Sequence, residues 1–141
     1  MLADVQFYIH AHVVVATVTG EVDLSNASQI CDAIGEATPN TALGVVLDLS
    51  PVDYLDSAGI HLIYRLRENL RARGQKLLLV IPLDSPVQDS LRLAGVTQHL
   101  PIAPSADEAL ADFAPARAEA DAAKTPPEDS DRDTPQGEPA V

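Results

Sequence analysis

The sequence predicts an α/β domain: a mixed, mostly parallel sheet with helices packed against it, in the order β-β-α-β-α-β-α-β-α. Three observations carry this. The runs VVVATV and KLLLVI are β-branched or leucine-rich and continuous, as strands in the middle of a sheet are. Segments with apolar residues three and four apart lie between such runs. Two strand-like segments joined by a short link open the chain, which implies a hairpin before the strand–helix alternation begins.

Residues 5–10 alternate Val, Phe and Ile with Gln and Tyr, the pattern of a half-buried strand. Residues 13–19, VVVATVT, suit a more central one, and His10-Ala11-His12 links the two without a strong turn dipeptide. GEVDL, residues 20–24, reads as a loop. Ser25 is placed to cap a helix over 26–37 whose apolar face is Ala27, Ile30, Cys31 and Ile34. Thr38-Pro39-Asn40 ends it, and 43–49 is a buried strand. Residues 50–55 read as a loop, and a helix over 57–73 closes on Gly74. A strand over 76–81 follows, then a loop over 82–85. Pro86 suits the first turn of a helix to 94, with Gly95 beyond it. A short strand over 99–102 precedes a last helix over 106–113, capped by Ser105 and with Asp107 and Glu108 in its first turn.

The 141 residues suggest one domain, at 1–113, and 46% apolar residues suffice for one core. After Phe113 the only apolar side chains are alanines and the terminal Val141. We expect 114–141 to be a disordered acidic tail, because it cannot bury enough surface to offset ordering. Seven acids and three bases give that tail −4 of the net −12, leaving −8 on the domain. Such a charge argues against nucleic acid or an anionic membrane as partner. One cysteine, Cys31, allows no internal disulfide and no cysteine-based metal cluster. No signal peptide is visible and no apolar run approaches about 20 residues, so the expected location is cytoplasmic, without membrane insertion.

Three roles are open for Ser57 in LDSAGIHLIYRL: helix cap, nucleophile, or acceptor of a modification. At 100° per residue Gly59, Leu62, Ile63, Leu66 and Leu70 form the buried stripe. Ser57, His61, Tyr64, Arg65 and Glu68 fall opposite. A helix start offers unpaired N–H donors to the Ser57 hydroxyl or to an added anion. The layout shares strand–turn–Ser–helix with the nucleophile elbow G-x-S-x-G, but Leu55 stands where the first glycine belongs, and no histidine is placed as base. No catalytic residue is assigned. His10-x-His12 lacks a third metal ligand, and Asp48, Asp53 and Asp56 read as well as a solvated acidic loop as a Mg²⁺ site. No phosphate-binding glycine motif is present, so no metal or cofactor is expected. Arg65, Arg67, Arg71, Arg73 and Lys76, five of the domain's six basic residues, read as a solvated helix face and end.

Four segments then match one family in the right order. Thr19-Gly20-Glu21-Val22-Asp23 resembles a G-E-[LIV]-D loop. VVLDLSPVDYLD, residues 45–56, resembles that family's third strand and loop. Asp56-Ser57-Ala58-Gly59-Ile60 resembles a D-S-[STA]-G-[LIV] phosphorylation segment. Ser85-Pro86, Leu91 and Ala94-Gly95-Val96 resemble the loop and helix after its fourth strand. Residues 1–113 are thereby identified as similar to the STAS domain, most closely the free-standing anti-sigma factor antagonists. The resemblance implies that Ser57 is a phosphoacceptor and that the partner is an anti-sigma factor serine kinase. The unmodified protein would bind that kinase and release its sigma factor, phosphorylation would end binding, and a serine phosphatase would reverse it. The implied partner face is Asp23, Ser25, Asp56, Ser57, Ile60, His61 and Tyr64. Ala58 departs from the relatives that carry a second hydroxyl there. The other role the resemblance allows is a non-phosphorylated STAS adaptor subunit of a membrane lipid-transport complex.

Overall fold

A computed structural model describes residues 3–113. The expected tail at 114–141 lies outside the described residues. The elements are β1 (Asp4–His10), β2 (Val13–Val22), α1 (Ala27–Ala37), β3 (Gly44–Asp48), β4 (Val52–Leu55), α2 (Ser57–Ala72), β5 (Lys76–Val80), α3 (Gln88–Leu93), α4 (Val96–His99), β6 (Ile102–Ala103) and α5 (Ala106–Asp112). The sheet order is β1-β2-β3-β5-β6, with β4 added beside the end of β2. Among the described residues β1–β2 is the antiparallel pair and the others are parallel, so the sheet is mixed and mostly parallel.

Alternation along the central strands makes two cores. Val14, Ala16, Val18, Val45, Leu47, Leu77 and Leu79 face α1 to α4, where Ile30, Ile34, Ile63, Leu66, Leu91 and Val96 meet them. Val13, Val15, Val46, Leu78 and Val80 face the other way, toward Ala109 and Phe113 of α5 and its end. Strands buried on both faces need continuous apolar runs, which is why these read so plainly in the sequence. The inward faces of α1 and α2 are the two stripes expected from helical spacing, residue for residue. At the end of α2, Gly74 takes φ +72°, and Gly74 and Gln75 N–H donate to the Arg71 and Leu70 carbonyls at 3.0 and 2.8 Å.

Several expectations are corrected. Residues 50–55 are not all loop: β4 pairs with Gly20–Val22, which itself belongs to β2 and not to a loop. β1 is not half-buried. It is an edge strand, with Phe7, Tyr8 and Ile9 exposed, because among the described residues no element covers its outer side. Its hairpin does form, through Ala11 and His12 at φ 51° and 68°, the left-handed pair that a two-residue turn requires. The helix expected from Pro86 starts at Gln88. The strand expected over 99–102 is only β6 at Ile102–Ala103, and residues 96–99 form α4: Gly95 at φ +80° restarts the helix, and Val96 and Leu100, four apart, both bury. Arg73 is no solvated helix end. Its guanidinium donates to the Gly35 and Thr38 carbonyls and to Asn40 Oδ1, tying the end of α2 to the end of α1. Beside it the buried Gln75 amide donates to the Pro39 and Ala42 carbonyls at 2.8 and 3.1 Å.

Candidate functional site

The site forms where β2 and β4 end side by side. The strands are parallel there, with Val22 opposite Leu55, and the Asp56 N–H donates to the Val22 carbonyl at 3.2 Å. Each strand is followed by an aspartate, Asp23 after β2 and Asp56 after β4. Strand pairing thus brings the GEVDL segment and the start of α2 to one end of the sheet.

Each aspartate organises its own backbone. Asp56 is the N-cap of α2: its carboxylate accepts from Ala58 and Gly59 N–H at 2.8 and 3.2 Å. Asp23 accepts from the Ser25 N–H at 2.9 Å and the Ser25 hydroxyl at 2.5 Å. Those two bonds, the hydroxyl's first, hold the Asp23 carboxyl below its ordinary value of 3.8. The Asp23 N–H donates to Asn26 Oδ1, and the Asn26 amide donates to the Glu21 carbonyl, at 3.0 and 2.9 Å. Two expected caps are therefore reassigned. Asn26, not Ser25, stands at the N-cap position of α1, and its side chain is spent on this loop. Asp56, not Ser57, caps α2, because a carboxylate one residue earlier reaches the N2 and N3 donors.

Ser57 is the first residue of α2 and is exposed. Among the described residues its hydroxyl makes no side-chain hydrogen bond. The donors that could have held an anion, the Ala58 and Gly59 N–H groups, already serve Asp56. Gly59 is buried under the helix start: a Cβ there would lie 2.6 Å from Leu55 Cγ and 3.3 Å from Val22 Cγ1. The lack of a side chain thus lets α2 sit directly on the ends of β2 and β4.

Between α1 and α2 an open groove of about 540 Å³ reaches Ala58, the residue after Ser57, with His61, Tyr64 and Arg65 on one wall and Leu24 and Ser28 on the other. Leu24 is 85% exposed. It was not among the expected contacts, and its signal was an apolar residue inside a polar loop. His61 is exposed as expected. Ile60 and Tyr64 are half-buried against the main core, and the Tyr64 ring meets His99 edge-on with centroids 6.5 Å apart. Cys31 is the expected core residue of α1, and burial pushes its thiol up, with Arg65 opposing.

The geometry offers a hydroxyl, not an activated nucleophile: among the described residues no base is bonded to Ser57. No group of three or more His, Cys, Asp or Glu converges as metal ligands among them. Asp48 accepts from Ser50 at 2.9 and 2.5 Å, and Asp56 is engaged with α2. No helix among them is long and apolar enough to cross a membrane.

The fold and the candidate site together define a small α/β domain with an exposed serine at a helix start and an open groove between α1 and α2. Residues 4–109 match the STAS domain model, and the chain belongs to that family. It is 28% identical over 102 residues to the anti-sigma-F factor antagonist RsfB of Mycobacterium tuberculosis, covering 72% of this chain and 81% of RsfB. It is 36% identical over 78 residues to Osmosensory protein A of the same organism, covering 55% of this chain but only 49% of that protein. The crystal structure of an anti-sigma factor antagonist from Mycobacterium paratuberculosis superposes with TM-score 0.70 at 26% identity, over 79% of this chain and 93% of that one. Unphosphorylated SpoIIAA, at TM-score 0.58 and 21% identity over 77% and 96%, shares the fold.

Proposed function

We propose that this protein is an anti-sigma factor antagonist that binds an anti-sigma factor serine kinase, frees the sigma factor that kinase holds, and is switched off by phosphorylation of Ser57. The observation that carries the reading is an exposed Ser57 at the head of α2, at the end of the sheet where the Asp23 segment lies, with Ala58 beside it lining the α1–α2 groove. The similarity to proteins named anti-sigma factor antagonists supports it. In the transfer, Ser57 Oγ attacks the γ-phosphorus of ATP bound by the kinase. The bond to ADP breaks, and the hydroxyl proton passes to a base on the kinase. A serine phosphatase hydrolyses the ester again. Asp23, Ser25, Asp56, Ile60, His61 and Tyr64 surround the acceptor as the kinase-facing surface, with Leu24 added to them. The protein acts by binding and performs no catalysis of its own, in the cytoplasm where kinase, ATP and sigma factor meet.

A phosphate adds a charge of about −1.5 to −2. With Ala58 and Gly59 N–H occupied, it stands in water beside the Asp56 carboxylate instead of folding onto the helix. A partner surface fitted to a neutral hydroxyl then meets bulk and charge. A loss of about 3–4 kcal/mol weakens binding by a hundred- to a thousand-fold. The fold is unaffected, because the hydroxyl supports nothing. The test is incubation with candidate anti-sigma kinases and ATP, mass-spectrometric mapping, and pull-downs of Ser57→Ala and Ser57→Asp. Phosphate should map to Ser57, Ser57→Ala should bind and Ser57→Asp should not, while both melt within about 0.5 kcal/mol of the parent. Equal binding by the two variants refutes the switch.

A further inference from the structure

We propose that two copies of this chain pair edge to edge through β1, antiparallel, with Phe7 of one opposite Phe7 of the other on the two-fold axis. β1 ends the sheet and runs seven residues in unbroken register with β2. It contains no proline, lysine or bulge, the devices that keep an edge strand from pairing. Phe7, Tyr8 and Ile9 are 39, 50 and 62% exposed on it. The opposite edge, β6, is only two residues long.

The register decides which groups face outward. His10 and Val13 flank the two-residue turn and form its closing hydrogen-bonded pair. Bonding alternates from there, so Asp4, Gln6, Tyr8 and His10 direct their N–H and C=O groups to β2. Gly20 of β2 donating to the Pro51 carbonyl, and Leu43 to the carbonyl of His12 just before β2, agree that even-numbered positions serve the other side of β2. Val5, Phe7 and Ile9 therefore carry the N–H and C=O groups that point away from the sheet.

A second copy related by a two-fold axis at Phe7 meets every one of these groups. Phe7 pairs with Phe7, and Val5 with Ile9 in both directions, each by two backbone hydrogen bonds. On the α1–α2 face the six side chains form one apolar stripe. On the other face Gln6 meets Tyr8, and the carboxylate of Asp4 meets the imidazole of His10 at both flanks. Moving the axis to Gln6 or Tyr8 would still align outward-pointing groups, but it would leave Ile9 or Val5 without a partner inside β1 and would part Asp4 from His10. The self-complementary edge closes after two copies, since each has one such edge. None of the residues grouped round Ser57 lies in β1.

The experiment is the oligomeric state of the full chain by sedimentation and light scattering, repeated on variants. A dimer of 14.9 kDa subunits is expected. Phe7→Pro removes an outward donor while sparing the β2 ladder, and should weaken dimerisation at least tenfold with the melt of the monomer retained. Asp4→Lys and His10→Glu should each weaken it, and the two together should restore it. The two positions lie six residues apart on one strand, about 20 Å, so only pairing between copies can produce that rescue. A monomer at concentrations up to about 1 mM, a dimer indifferent to Phe7→Pro, or no rescue by the double exchange overturns the proposal.

Discussion

Gly59→Ala should destabilise this protein although it replaces glycine inside a helix. In an open helix that exchange gains up to about 1 kcal/mol. At Gly59 the new methyl would lie 2.6 Å from Leu55 Cγ and 2.9 Å from its Cδ1. Carbon atoms pack at about 3.5–4.0 Å, so roughly an ångström must be found. Cγ is a branch point, not a flexible tip, and both Leu55 and Val22 are buried on paired strands. The helix start has to retreat, and overpacking of this kind costs about 1–3 kcal/mol. The net expectation is a loss of about 1–2 kcal/mol, or roughly 4–15 °C in Tm for a domain of this size. Gly35→Ala is the internal comparison: it also lies in a helix, but no atom comes within 4 Å of its added Cβ. It should gain about 0.5–1 kcal/mol. Urea unfolding with unchanged m-values measures both. A Gly59→Ala protein as stable as its parent would refute the close packing of α2 on β2 and β4. The same variant moves Ser57, so under the proposed function its affinity for an anti-sigma kinase should fall as well.

Three further outcomes follow from single contacts. Asp56→Ala removes the two cap bonds of α2 and should cost about 1 kcal/mol in urea unfolding, with Ser57→Ala costing far less; the reverse ranking would return the cap to the serine. By NMR titration the Asp23 carboxyl should titrate below 3.8 and return toward it in Ser25→Ala. Because the folded value is the lower one, the linked stability is fully present above pH 3.8 and is lost as the pH falls through the folded value; an unmoved titration in Ser25→Ala would contradict the assignment. His12→Gly should stabilise by about 0.5–1 kcal/mol, since glycine takes φ 68° without the clash a side chain suffers there. A loss on thermal melting would mean that the turn is not left-handed.

The site was legible in part. D-S-A-G-I marks Ser57 in the sequence, and helical spacing alone sets it opposite the buried stripe. That the Asp23 segment lies at the same end of the sheet as the start of α2 was legible only as an expectation. The pairing that puts it there is β4, four residues whose burial pattern does not alternate and which follow a proline. A segment that short becomes a strand only because the end of β2 is available beside it.

Local order was determined by the sequence itself. Continuous apolar runs made central strands, three-and-four spacing made the inward faces of α1 and α2, and Gly74 stopped α2, because each depends on neighbours a few residues away. Tertiary structure alone decided that Asp56 and not Ser57 caps α2 and that Arg73 ties two helix ends together. It also decided that Tyr64 is half-buried against the main core, with His99 edge-on to its ring, and that an alternating β1 is left bare. Each of these turns on what lies across a gap in sequence of one element or more. Alternation says which side chains share a face of a strand, but burial of that face requires another element to cover it.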